Sequence, residues 1–191
     1  NNLTVLLERK GDYTQAETIY RRSLESFERV LGPAHPLTLG TVNNLAELLR
    51  NTGDYAQAEA LFRRVLEDKE RVLGEDHPAT LMGVNNLAVL LYSKGDYAQA
   101  EPFFRRAVRS RQRVLGEDHP DTLMSVNYLA WLVRILGNVA EAELLYRKAL
   151  AIGEGIEVCT RSRQILECMA TAHNELAFHT DVPGANWNEA E

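Results

Sequence analysis

The chain of 191 residues is 45% hydrophobic and 25% charged, with a formal net charge of −6. That is the composition of an ordinary folded protein, and its acidic balance disfavours a general nucleic-acid or anionic-membrane role. No run of about 18 apolar residues is present to span a bilayer, NNLTVLLERKGDY lacks the basic start and apolar middle of a secretory signal, and two cysteines, Cys159 and Cys168, are too few for a disulfide framework. A reducing compartment, by default the cytoplasm, is expected.

One unit is copied along the chain. NNLAELLRNTGDYAQAEALFRRVLEDKERVLGEDHP at residues 43–78 recurs at 85–120, an earlier copy occupies 1–36, and a later one opens at Asn127 and drifts after Leu150. Gly11, Gly53, Gly95 and Gly137 repeat every 42 residues, and a fixed period of that size is the mark of a solenoid. A solenoid is therefore expected, and the helix signals taken in order below make it all-α, built of antiparallel helix pairs. It forms one solenoid over 1–191 with units of about 1–35, 36–77, 78–119 and 120–160 and a divergent, truncated unit at 161–191. The lack of an initiator Met and the entry in mid-helix lead us to expect a piece of a longer protein.

The first copy enters within a helix that Gly11 ends. Asp12 then caps a second helix with Gln15 three residues on, and the same box recurs as Asp54/Gln57, Asp96/Gln99 and Asn138/Glu141. The second helices carry one small residue each (Ala16, Ala58, Ala100, Ala142), where bulk would force the pair apart. Their surfaces carry Glu17/Arg21, Glu59/Arg63, Glu101/Arg105 and Glu143/Arg147, with Glu first and Arg four residues later, the favourable order. The doublets Arg21-Arg22, Arg63-Arg64 and Arg105-Arg106 read as a solvated helix face partly paired to glutamates in preference to a phosphate site.

Each new unit starts at His35-Pro36, His77-Pro78 or His119-Pro120, proline being favoured at the first helical position. In the first helix that follows, Leu39, Val42, Leu45, Ala46, Leu48 and Leu49 recur at steps of three and four and form one apolar stripe. Gly53 ends it as a left-handed cap. The second helix buries Tyr55, Ala58, Phe62, Val65 and Leu66 and runs to Val72-Leu73, where Gly74 stops it. After Leu150 the joining signals vanish; a further helix is expected at about 161–180, where Asn174-Glu175-Leu176-Ala177 echoes Asn85-Asn86-Leu87-Ala88.

The run LAELLRNTGDYAQAEALFRR at 45–64 resembles a tetratricopeptide repeat. The longer period, with VLGxxHP joining units, is similar to the repeats of kinesin light chains and their bacterial and nephrocystin-like relatives. The resemblance implies a right-handed superhelix whose inner wall, lined by first helices, holds extended peptide segments of partner proteins. It also implies that the Asn directly before Leu-Ala faces this groove and hydrogen-bonds the ligand backbone. Here that is Asn2, Asn44 and Asn86, with Asn1, Asn43, Asn85 and Asn127 as neighbours; Tyr128 breaks the pattern in the fourth copy. An amide offers both a donor and an acceptor, so it can clamp an extended backbone whatever its sequence. The alternative is an Asn at the seam between units, satisfied by neighbouring groups.

The same face continues through Glu47, Arg50 and Asn51, then Val89, Tyr92 and Ser93, then Met124, Trp131 and Arg134, becoming aromatic towards the C-terminal half. Aromatics flanked by Arg are typical interface anchors; Trp131 packing beneath the fifth unit is the alternative. The histidines His35, His77 and His119 recur once per unit and are expected to start helices, not to converge on a metal. Cys168, His173 and His179 lack a ligand spacing, and no phosphate-cradling loop occurs. The expectation is a non-enzymatic protein–protein interaction scaffold of adaptor type, without cofactor or metal, whose partner is a protein or peptide and neither nucleic acid nor membrane. A structural spacer or a segment that self-associates end to end is the second reading.

Overall fold

The structure, a computed structural model, describes residues 4, 6, 7 and 10–155. The helix expected at 161–180, the fifth unit, Cys159, Cys168, His173 and His179 lie outside the described residues. Seven complete helices follow one another among the described residues, and no strand occurs. They are α1 (Tyr13–Leu31), α2 (Pro36–Thr52), α3 (Tyr55–Leu73), α4 (Pro78–Lys94), α5 (Tyr97–Leu115), α6 (Pro120–Ile135) and α7 (Val139–Gly155). No described helix is long and apolar enough to cross a membrane.

Two compact units divide the chain, Asn1–Ala107 and Val108–Glu191. In the first, α1 packs on α2, α2 on α3 and α3 on α4; in the second, α6 packs on α7. The expected stripe of α2 is the core of the first unit: Leu39, Val42, Leu45, Ala46, Leu48 and Leu49 are all buried, as are Ala58, Phe62, Val65 and Leu66 of α3. Tyr55, expected to be buried, is only half so. It is the first residue of α3, at the end of the helix pair, where fewer neighbours can cover a ring. Its counterpart Tyr97 packs against Tyr92 there, with ring centroids 5.3 Å apart and planes inclined at 48°.

The helix boundaries follow from the caps. His35, His77 and His119 are the N-caps of α2, α4 and α6, and each imidazole Nδ1 accepts the N–H two residues on, at 3.2, 3.1 and 3.1 Å. The ring thus replaces the Ser or Asp oxygen that usually satisfies an orphan donor there. At the α2–α3 corner Gly53 is left-handed, with φ 88° and ψ 3°. The stop after α3 differs: Gly74 has φ 88° and ψ 163°, a region essentially confined to glycine.

The expected capping boxes form in altered ways. Asp12 and Asp54 accept the Gln15 and Gln57 N–H at 3.2 and 3.1 Å, but the Gln57 amide returns to the Asp54 carboxylate at 2.6 Å and not to the backbone. Asn138 and Glu141 pair in the same fashion. In the third copy the Gln99 N–H donates to the Asp96 carbonyl, and the Asp96 carboxylate pairs with Lys94 at 2.8 Å.

Charges on the second helices compensate one another. The first Arg of each doublet turns back to its own helix, as in Arg21–Glu17 and Arg63–Glu59 at 2.8 Å and Arg105–Glu101 at 2.7 Å. The second Arg reaches the preceding second helix, in Arg64–Glu28 and Arg106–Glu70 at 2.6 Å. In the next copy the corresponding acid is Gln112, and Lys148 pairs with Glu117 at 2.8 Å. The paired-surface reading of the doublets agrees with this geometry.

Candidate functional site

Because the apolar stripe of α2 faces its neighbours, the positions left over fall on one open strip: Asn43, Asn44, Glu47 and Arg50 are half-buried and Asn51 is exposed. On α4 the equivalent strip holds Asn86, Val89 and Tyr92, half-buried, and Ser93, exposed. Asn43 donates its amide to Glu47 Oε1 at 2.9 Å, one turn along α2. Asn86 donates to Asn43 Oδ1 at 2.9 Å and lies 3.5 Å from the same Glu47 oxygen, so α2 and α4 are joined side by side through three polar side chains. Arg50 donates to Asn51 Oδ1 at 3.1 Å. Asn44 makes no side-chain hydrogen bond among the described residues, which leaves both ends of its amide on the strip.

The asparagines do not divide by repeat position, since Asn44 and Asn86 are equivalent, as are Asn43 and Asn85, yet their surroundings differ. Asn43 and Asn86 meet at the seam between units, Asn44 stands beside them, and Asn85 is buried, at 6% exposure, with its Oδ1 lacking a hydrogen-bond partner. Asn2 and Asn1 lie outside the described residues. In the other compact unit α6 carries Asn127, whose Oδ1 is likewise buried without a partner, the half-buried Tyr128 and Arg134, and the exposed Trp131 and Ile135, one turn apart. Met124 is half-buried on the same helix.

Lys94, at the end of α4, is not available to this strip. Hydrogen bonds to Asp96, and then to Glu59 at 3.2 Å, hold its ammonium above the ordinary lysine range. Glu59 in turn is held below the ordinary glutamate range, chiefly by its bond to Arg63 and against the cost of burial.

Two buried cations escaped the sequence reading. Lys69 occupies the last core-facing position of α3, and burial pushes its ammonium below the ordinary lysine range. Its stem lies where a side chain at Gly83 would meet it, 3.8 Å from Lys69 Cδ. Arg111 holds the same position in α5 and donates to the Asp121 carbonyl at 2.8 Å and to Ser125 Oγ at 2.7 Å. The readable signal was the stripe Ala58, Phe62, Val65 extended by one more step to Lys69, opposite a small residue. Among the described residues no group of His, Cys, Asp or Glu is placed to hold a metal ion.

Helix pairs that recur every 42 residues, with a small residue and a glycine corner in each, match family profiles described as tetratricopeptide repeat over residues 38–111 and 81–154, and a second such profile over residues 1–37. The chain belongs to the tetratricopeptide-repeat family. Among solved structures, this tetratricopeptide-repeat chain is similar to BtubC (BKLC) from P. vanneervenii, with a TM-score of 0.74 and 20% identity over 99% of this chain and 83% of that one. It is also similar to a kinesin-light-chain-like protein of Podosopora anserina with nearly identical TPR-like repeats, with a TM-score of 0.77 and 22% identity over 93% of this chain and 85% of that one. MamA superposes with a TM-score of 0.52 at 14% identity, covering 92% of this chain and 95% of that one. At such identities the likeness is one of fold. No curated protein sequence matches significantly. Tetratricopeptide repeats mediate protein–protein interaction, and the resemblance to kinesin-light-chain repeats holds at the level of the repeat.

Proposed function

We propose that the chain is an adaptor module that holds an extended segment of a partner protein against the first-helix strips, in the manner of kinesin light chains. The observation that carries this reading is Asn44. Its amide is half-buried on the open face of α2, unlike Asn43 and Asn86, which are occupied with each other. A donor and an acceptor on the same strip of α2 as Glu47 and Arg50 suit an extended backbone flanked by side-chain contacts. The second compact unit carries on its own α6 an aromatic side chain and a cation of the kind interfaces use, Trp131 and Arg134. The family is one of scaffolds, and we read no catalytic role into the chain. Its setting on this reading is the cytoplasm.

The test is a peptide-library screen with the 191-residue chain and with Asn44→Ala. One lost hydrogen bond should weaken every recovered peptide by about 0.5–1.5 kcal/mol while the melting temperature stays put. Unchanged affinities would overturn the clamp and leave a spacer or self-associating segment as the better reading.

A further inference from the structure

The two charged side chains of α2, Glu47 and Arg50, lie one turn apart on the same strip, yet they form no ion pair with each other. Glu47 Oε1 takes its hydrogen bonds from Asn43 at 2.9 Å and, at the limit, from Asn86 at 3.5 Å, and Arg50 donates to Asn51. Amide partners orient a charge without neutralising it. The second helices of the same unit behave otherwise: Glu59 is met by Arg63 and Lys94, Arg64 by Glu28 and Arg106 by Glu70. Opposite charges left uncompensated occur on the strip where a partner is expected.

Resting on the adaptor reading above, we propose that Glu47 and Arg50 select a docked segment carrying opposite charges two residues apart, a lysine or arginine against Glu47 and an aspartate or glutamate against Arg50. Side chains three apart on a helix stand about 5–6 Å from each other. Along an extended segment, residues two apart share a face and are separated by about 6.5 Å, whereas adjacent residues face opposite ways. The spacing of the two protein charges therefore fits a base and an acid at positions n and n+2, in the order set by the direction of the segment. Asn43 and Asn86 prevent Glu47 from swinging away, so the cation meets a carboxylate already in place. A run of like charges, as on a phosphate backbone or an anionic membrane, would satisfy one residue and be repelled by the other.

The experiment is a display library of extended peptides selected on the 191-residue chain, followed by affinities for the chain and for Glu47→Gln, Glu47→Lys and Asn44→Ala. Glu47→Gln keeps an oxygen that accepts from Asn43 and Asn86, so the seam is retained while the charge is removed. Enrichment of opposite charges two positions apart is expected, with about a tenfold loss for Glu47→Gln, the scale of one net charge-assisted bond. Glu47→Lys should reselect peptides with acid at both positions. Peptides that bind through Asn44 but show no such charge pair, or that bind Glu47→Gln as well as the parent, would overturn this proposal and leave the adaptor reading standing. Recovery of no peptide at all would overturn both.

Discussion

Asn86 on α4 donates its side-chain amide to Asn43 Oδ1 on α2, at 2.9 Å and 43 positions away in the chain. The bond ties two successive first helices along the strip on which a partner is proposed to lie, so the asparagines at this seam hold units together as well as facing outward. Truncating them is expected to cost stability. Asn43→Ala and Asn86→Ala should each destabilise by about 1 kcal/mol, and their double-mutant cycle should show a coupling of at least about 0.5 kcal/mol. Asn44→Ala should leave the denaturation midpoint unchanged. Additive losses at 43 and 86 would mean that the bond is not formed in solution.

The two glycine stops should respond differently to asparagine. Gly53 is left-handed, a conformation that Asn tolerates, whereas Gly74 combines φ 88° with ψ 163°. Gly53→Asn is expected to cost under about 1 kcal/mol and Gly74→Asn about 1–3 kcal/mol. Chemical denaturation of the two variants checks the order; the reverse ranking would sink the argument.

The imidazole caps predict a rescue series. His77→Ala removes the acceptor of the Ala79 N–H and should cost about 0.5–2 kcal/mol, while His77→Asn supplies another cap oxygen and should recover most of it. If alanine and asparagine prove equally stable, the proline alone starts α4.

Glu59 should contribute an acid limb to unfolding. Its folded pKa is lowered, chiefly by Arg63, so its stabilisation is complete above the ordinary glutamate value of 4.5 and is lost as pH falls through the lowered folded value. Stability measured from neutral pH downward should fall less steeply in Glu59→Gln than in the parent below that value. Parallel curves would show that the bonds to Arg63 and Lys94 are not held in solution.

Pro102 sits inside α5, where Ala60 stands in the previous copy. Proline there removes one backbone donor and crowds the carbonyl four residues before it. Pro102→Ala should raise the denaturation midpoint, with a gain of about 1–3 kcal/mol. A neutral or destabilising result would indicate that the helix is already adapted to the ring.

Much of the architecture was legible without coordinates because each unit repeats its own signals. The helix starts at Pro36, Pro78 and Pro120, the left-handed Gly53 and Gly95, and the stripe from Leu39 to Leu49 all depend on contacts within one turn or one helix. Local rules act at fixed sequence spacing, so a 42-residue period printed them several times over.

The partners of the polar residues were decided only by the packed structure. Nothing in NNLAELL separates Asn43, which reaches into the next unit, from Asn44, which does not, because that choice depends on how far α4 is rotated against α2. The same holds for Arg64, which pairs with Glu28, and for Arg111, which is buried against Ser125. Sequence alone determined which side of each helix is apolar, since burial follows the helical period. Side-chain partners between units require distances that no periodicity carries; they are set when neighbouring helices settle against one another and bring each amide or guanidinium within reach of its acceptors.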